Sequence, residues 1–164
     1  RNQQTLTAGI VKRIQDPTVA GLLLGKMSRA GELGVIVQID ERSRLERHHG
    51  RIKSSSIVKI LGNLLENAFF ATTSTEENRV VKLYVFEDSE SIFMEIEDRG
   101  IGILKADLGR IFQKGYTTKE GSGGEGLFIV RKTVKELGGV ISVDSEKGVG
   151  TLFRVTLPKE VEHD

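Results

Sequence analysis

The feature that most constrains this chain is a set of strand-like runs spaced for hairpins. RVVKLYVFE (79–87) and SIFMEIE (91–97) alternate apolar and polar residues and are rich in β-branched side chains. Two more strands are predicted at 139–144 and 150–157, joined by a turn at Lys147-Gly148 and closed by Pro158. Connections this short suit antiparallel pairing, because parallel neighbours need a long crossover. VIVQID (35–40) reads as a further strand. Asp16-Pro17 looks like an N-cap with proline at the first helical position. It opens the helix VAGLLLGKMSRAGEL, apolar at 19, 22, 23, 27, 30 and 33 and ended by Gly34. A longer helix begins near Ser54, and another covers 126–137. The fold class expected is an α/β (α+β) two-layer sandwich, a mixed and mostly antiparallel sheet packed on helices.

Composition removes several classes of function. The 164 residues fit one domain, with room for a fragment of another, and suffice for a real core. A formal net charge of +1 gives no global field for nucleic acid. No cysteine is present, which excludes disulfides, cysteine-based zinc sites and thiol nucleophiles. No apolar run approaches the roughly 18 residues that a membrane span needs. RNQQTLT at the start, without Met, suggests a segment excised from a longer protein.

Residues 121–126, GSGGEG, fit the dinucleotide fingerprint G-x-G-x-x-G, with Asp144 about where its ribose-binding acid would stand. A Rossmann glycine loop must follow a buried strand directly. Here IFQKGYTTKE precedes it, and the 38 residues after Gly126 are too few for the remaining parallel strands. GLLLGKM (21–27) fails as a phosphate loop as well: one spacing is short, and Met27 stands where a hydroxyl must meet Mg²⁺.

Three polar signals remain. Asn63 and Asn67 in NLLEN are i and i+4 on one face of the long helix, beside Glu66, while Ile57, Ile60, Leu61, Leu64, Leu65 and Ala68 form the apolar side. Buried amides need partners, so this face is either solvated or a site. Asp98-Arg99-Gly100-Ile101-Gly102 places an acid at a strand end before two glycines, which suits a flat ligand against the backbone and equally suits a plain turn. Glycines 121, 123, 124 and 126 lead into a helix start able to meet phosphate, with Lys114, Thr117, Thr118 and Lys119 just upstream.

Taken in order, NLLENA, DRGIGI, IFQKGYTTK and GGEGL, with Gly150-Thr151 near the end, resemble the N box, first G box, F box, second G box and small G-T motif of sensor histidine kinase ATP-binding domains. These belong to the gyrase–chaperone–histidine kinase–MutL (GHKL, Bergerat) ATPase superfamily. The resemblance covers about residues 30–158, and GYTTK with the DPTVAGLLLGKMSRAGELGV lead-in is most similar to the citrate and C4-dicarboxylate sensor kinases.

The resemblance implies ATP bound with Mg²⁺ between helices under a lid at 104–123. Asp98 would accept from the adenine amino group, with Gly100 and Gly102 letting the base lie on the backbone. Asn67, and with it Asn63, would face Mg²⁺ and the phosphates; Phe112 would anchor the lid. Thr118, Lys119, Gly124, Gly126, Leu127 and Thr151 complete the expected ATP contacts. Hydrolytic relatives carry a general-base Glu four residues before the Mg²⁺-binding Asn. Asn63 stands there and cannot take a proton, which favours transfer to another nucleophile.

The phosphoacceptor histidine would lie upstream, because His48, His49 and His163 read as solvated surface residues. The implied division is 1–33, the end of a dimerisation region; 34–158, the ATP-binding catalytic domain; and 159–164, a tail. The implied partners are the protein's own dimerisation/phosphoacceptor domain and a response regulator. The parent would be a membrane-anchored homodimer, with this segment its cytoplasmic part. Two features depart from the pattern: the pair Phe69 and Phe70 replaces polar or basic residues near the phosphates, and Glu125 adds a negative charge within the second G box. A regulatory nucleotide-binding module of the same fold is the competing reading.

Overall fold

The computed structural model describes residues 9–10, 12–77, 79–116 and 125–160. Its elements run α1 (Pro17–Glu32), β1 (Ile36–Ile39), α2 (Ser54–Thr73), β2 (Val80–Glu87), β3 (Ser91–Asp98), a 3₁₀ turn (Lys105–Asp107), α3 (Gly126–Glu136), β4 (Val140–Glu146) and β5 (Gly150–Pro158). The expected elements are present, and the two hairpins are antiparallel, β2 with β3 and β4 with β5. Strand order is β1-β2-β3-β5-β4. Only the β1–β2 pair is parallel among the described strands, and α2 supplies its crossover. Among the described residues, no helix is long and apolar enough to cross a membrane.

Local chemistry sets the helix ends. The Asp16 carboxylate accepts from the Thr18 and Val19 amides at 2.9 and 3.3 Å, closing the start of α1. At its other end, Gly34 and Val35 donate to the Gly31 and Ala30 carbonyls, a Schellman closure. Gly138 and Gly139 close α3 in the same way on Lys135 and Val134.

Packing follows the two periodicities. On α2, Ile57, Ile60, Leu61, Leu64, Leu65, Ala68 and Phe69 are buried at three- and four-residue steps, and this helix touches α1, α3 and three strands. On the sheet, Val81, Leu83 and Val85 of β2, Ile92, Met94 and Ile96 of β3, and Phe153, Val155 and Leu157 of β5 alternate toward the helices. The opposite sheet face is wet: Arg154 bridges Glu95 and Asp144 at 3.1 Å each, and Arg42 lies 4.9 Å over the Tyr84 ring. Val19, Ala20, Leu23 and Ala30 of α1 belong to the same apolar cluster as the sheet.

One expectation fails. His49 is not solvated; it is 2% exposed, and His48 beside it is exposed as expected. The His49 Nδ1 lies 2.7 Å from Glu87 Oε1 and its Nε2 lies 2.6 Å from Asp16 Oδ2. Two carboxylates brought from distant parts of the chain take the place of water around the ring. His163 lies outside the described residues.

Candidate functional site

Strand alternation decides where Asp98 points. It continues the inner-face series Ile92, Met94, Ile96, so the last residue of β3 aims its carboxylate into the helix layer rather than into solvent. It is 3% exposed and pairs across the sheet with Thr151, which begins the matching inner-face series of β5. Its Oδ1 accepts from the Gly100 amide at 2.8 Å. Burial pushes this carboxyl up to about 6; Glu97 adds to the rise, and the Gly100 and Thr151 amides oppose it.

After Asp98 the chain passes through a slot that excludes side chains. A Cβ on Gly100 would stand 2.3 Å from the Ala71 carbonyl oxygen of α2, and one on Gly102 would stand 2.1 Å from that of Glu146. Gly102 also has φ of +70°, a left-handed conformation that glycine adopts without strain. Hydrogen bonds hold the loop on both sides. Ile101 donates to Ala71 at 3.3 Å and accepts from Gly148 at 2.8 Å, while Ile103 donates to Ser145 Oγ at 2.8 Å. The D-x-G-x-G stretch is therefore a wedge between α2 and the β4–β5 hairpin, not a free turn.

In front of this wedge opens a cleft of about 280 Å³. Asn63, Asn67, Gly102, Gly126, Leu127 and Thr151 are on its walls, so α2, the wedge, α3 and β5 bring together six predicted residues. Asp98 and Gly100 are not on its walls but adjoin two residues that are: Asp98 pairs with Thr151, and Gly100 packs on Ala71. Phe112 packs edge-on against Phe153 at 6.2 Å, with Arg131 5.6 Å over its ring, so it tethers the chain beside the cleft rather than lining it. Thr118, Lys119 and Gly124 lie outside the described residues.

The amides are set for an electropositive guest. Asn63 Nδ2 donates to the Lys59 carbonyl at 2.7 Å, which turns Oδ1 outward; it would sit 3.2 Å from a Cβ on Gly126. Asn67 makes no side-chain hydrogen bond among the described residues. Beyond Gly126, the first amides of α3 face the cleft without a side-chain cap, since Glu125 at the N-cap is exposed and makes no capping bond.

The two phenylalanines also separate. Phe69 is 1% exposed and belongs to the core, while Phe70 lines the cleft. Several wall residues carried no polar signal in the sequence: Ile101, Ile103, Ile111 and Tyr116 are apolar neighbours of motif residues, and Lys147 belonged to a turn. Thr72 is another. Its hydroxyl is buried without a partner among the described residues, one position beyond the Ala71 carbonyl that Gly100 approaches.

Residues 52–161 match the family described as histidine kinase-, DNA gyrase B-, and HSP90-like ATPase. The chain belongs to that ATPase family. Its relatives include a "Probable C4-dicarboxylate sensor kinase" of Bacillus subtilis (strain 168), 37% identical over 98% of this chain and 30% of the relative. They also include "Sensor protein CitS" of Halalkalibacterium halodurans, 39% identical over 96% of this chain and 30% of the relative. "Sensor histidine kinase DpiB" of Escherichia coli (strain K12) is 34% identical over 99% of this chain and again 30% of the relative. The chain thus spans about 30% of the length of the curated relatives it matches. Among solved structures, a mycobacterial sensor histidine kinase, MprB, shares the fold with a TM-score of 0.65 at 20% identity, over 86% of this chain and 93% of that one. Membership of this ATPase family implies ATP binding by the domain.

Proposed function

We propose that this chain is the ATP-binding catalytic domain of a two-component sensor histidine kinase, delivering the γ-phosphoryl group of ATP to a histidine on a dimerisation domain outside it. The observation that carries this reading is the buried Asp98, aimed inward at the end of β3 and paired with Thr151, a wall residue of the cleft that also presents two asparagine amides and the start of α3. Asp98 accepts from the adenine amino group, a role that needs the ionised carboxylate. Gly100 and Gly102 keep the backbone bare so the base lies flat beside it. Gly126 and Leu127 present helix-start amides to phosphate oxygens.

The amide oxygens of Asn63 and Asn67 fit a hard cation whose remaining ligands are phosphate and water. No group of three or more His, Cys, Asp or Glu able to hold a metal stands together among the described residues. When bound, Mg²⁺ supplies charge neutralisation of the phosphates. Asn63, placed where a hydrolase would carry its base, has no lone pair basic enough to activate water. The phosphoryl group is therefore kept for the histidine nitrogen: its lone pair forms the P–N bond as the terminal P–O bond breaks, ADP leaves with that electron pair, and the imidazole proton passes to solvent. Thr118, Lys119 and Gly124 complete the phosphate contacts in this proposal.

The dimerisation/phosphoacceptor domain and a response regulator are the proposed partners, in a membrane-anchored homodimer with this segment on the cytoplasmic side. In this proposal residues 1–33 are the end of the dimerisation region, and α1 within them shares its apolar cluster with the sheet. Relatives named as C4-dicarboxylate sensor kinases support a small dicarboxylate as the signal. The test is titration of an unhydrolysable Mg-ATP analogue into the chain and into Asp98→Asn and Asn67→Ala. Binding is expected for the first and strongly reduced for the variants; no binding at millimolar nucleotide sinks the proposal. Adding the dimerisation domain in trans should then yield phosphohistidine.

A further inference from the structure

Glu66 lies on α2 between Asn63 and Asn67 and lines the cleft, yet the chemistry above gives it no part. A carboxylate here would repel the phosphates. Two cations of α1 meet it first. Lys26 Nζ donates to Oε2 at 2.8 Å, and Arg29 Nε donates to both oxygens at 2.8 Å. Lys26 and Arg29 are i and i+3, so they share one face of α1. Gly62, one turn before Glu66, bears no side chain, and the Lys26 stem passes 4.0 Å from where its Cβ would stand. The side chains of Lys26, Glu66 and Arg29 are 20%, 31% and 49% exposed, so the pairing is partly shielded from water at the Lys26 end.

We infer that Lys26 and Arg29 are positioning residues of the nucleotide site, which draw the Glu66 carboxylate toward α1 and cancel its charge beside the phosphates. They touch neither base nor phosphate themselves; they act through Glu66. One consequence is that α1, 40 residues from Glu66 at Lys26, becomes part of the phosphate subsite. The inference rests on the cleft being the nucleotide site.

The experiment measures dissociation constants for Mg-ATP, Mg-ADP and AMP on this chain. The Lys26→Gln/Arg29→Gln double variant should bind Mg-ATP about tenfold more weakly, Mg-ADP less affected, and AMP within about twofold of the parent. Adding Glu66→Gln to that variant should return Mg-ATP binding to within about threefold of the parent. The charge-preserving pair Lys26→Arg/Arg29→Lys should keep most of the affinity. Melting curves of each variant separate weakened binding from unfolding. An equal loss for AMP and ATP, or a loss that persists with Glu66→Gln, overturns the inference and leaves the nucleotide site standing. A parent chain that binds no Mg-ATP overturns the nucleotide reading itself, and the inference with it.

Discussion

Two groups of polar residues are embedded in this molecule, and they are finished to different degrees. Around His49 the accounting closes. The ring lies between Asp16 and Glu87, and each ring nitrogen has a carboxylate oxygen as its hydrogen-bond partner. Asp16 also accepts from Ser54 Oγ and from the Thr18 and Val19 amides. Glu87 accepts from the Glu46 amide at 3.0 Å, and its second oxygen is ion-paired with Lys159 Nζ at 2.9 Å. In the cleft it does not close: Asn67 makes no side-chain hydrogen bond among the described residues, and the start of α3 is uncapped. Saturated polar clusters hold a fold together, whereas unsaturated ones facing a cleft have room for a ligand.

The acids of the two regions respond to pH in opposite directions. At Asp16 burial raises the carboxyl, but bonds from Ser54, His49 and the α1 amides outweigh it and leave the group below its usual value. At Glu87 burial is likewise outweighed, by Lys159, His49 and the Glu46 amide. Both acids stabilise the fold above the ordinary carboxylate range, and that stability is lost as pH falls through their lowered values. Asp98 is raised, from 3.8 to about 6. Its contribution is fully present below about 3.8 and is lost as pH rises through about 6, because the folded state must then hold a buried carboxylate.

The largest expected effect breaks the saturated region. His49→Leu leaves two buried carboxylates without their shared partner and should cost about 3–5 kcal/mol in denaturant unfolding. Nucleotide affinity of the remaining folded protein should be unchanged; a small stability loss would mean that water serves those acids equally well. Next is Gly100→Ala, whose methyl has no room against Ala71, with an expected cost of roughly 2–3 kcal/mol. Its nucleotide binding should fall with the wedge, in contrast to His49→Leu.

Asp98→Asn is expected to separate the two regions most clearly. Mg-ATP binding should weaken by about 2 kcal/mol, while stability at neutral pH stays level or rises. Measured against the Asn variant, the ligand-free parent should lose stability between about pH 4 and 6, and its nucleotide binding should strengthen over the same span. Parallel pH profiles for the two proteins would contradict the raised acid. The smallest effect is Lys159→Met, which removes one partner of Glu87 at the rim of the cluster and should cost about 1 kcal/mol in the same unfolding assay.

Much of the cleft was readable before any tertiary structure. The helical period alone puts Asn63 and Asn67 on one face, and the strand period of Ile92, Met94 and Ile96 carries Asp98 inward. Tight spacing between strands made the hairpins legible. Side chains that depend on distant neighbours were not readable. His49 looks solvated among ERSRLERHHGR, and only the approach of Asp16 and Glu87 makes it a core residue. Phe69 and Phe70 form a single apolar doublet in the sequence; helix rotation against the sheet sends one to the core and the other to the cleft.

By itself, then, the sequence determined what local rules control: element types, helix ends at Asp16 and Gly34, the face on which each motif residue lies, and the order of the motifs. These depend on backbone period and on hydrogen bonds between near neighbours, which any few consecutive residues express. Tertiary structure alone decided which charges are buried, which meet a counter-charge, and which remain open to a guest. The Glu66–Lys26 and His49–Glu87 pairs join residues 40 and 38 positions apart. Charge burial is a property of the space around a group, and that space exists only once the layers have packed.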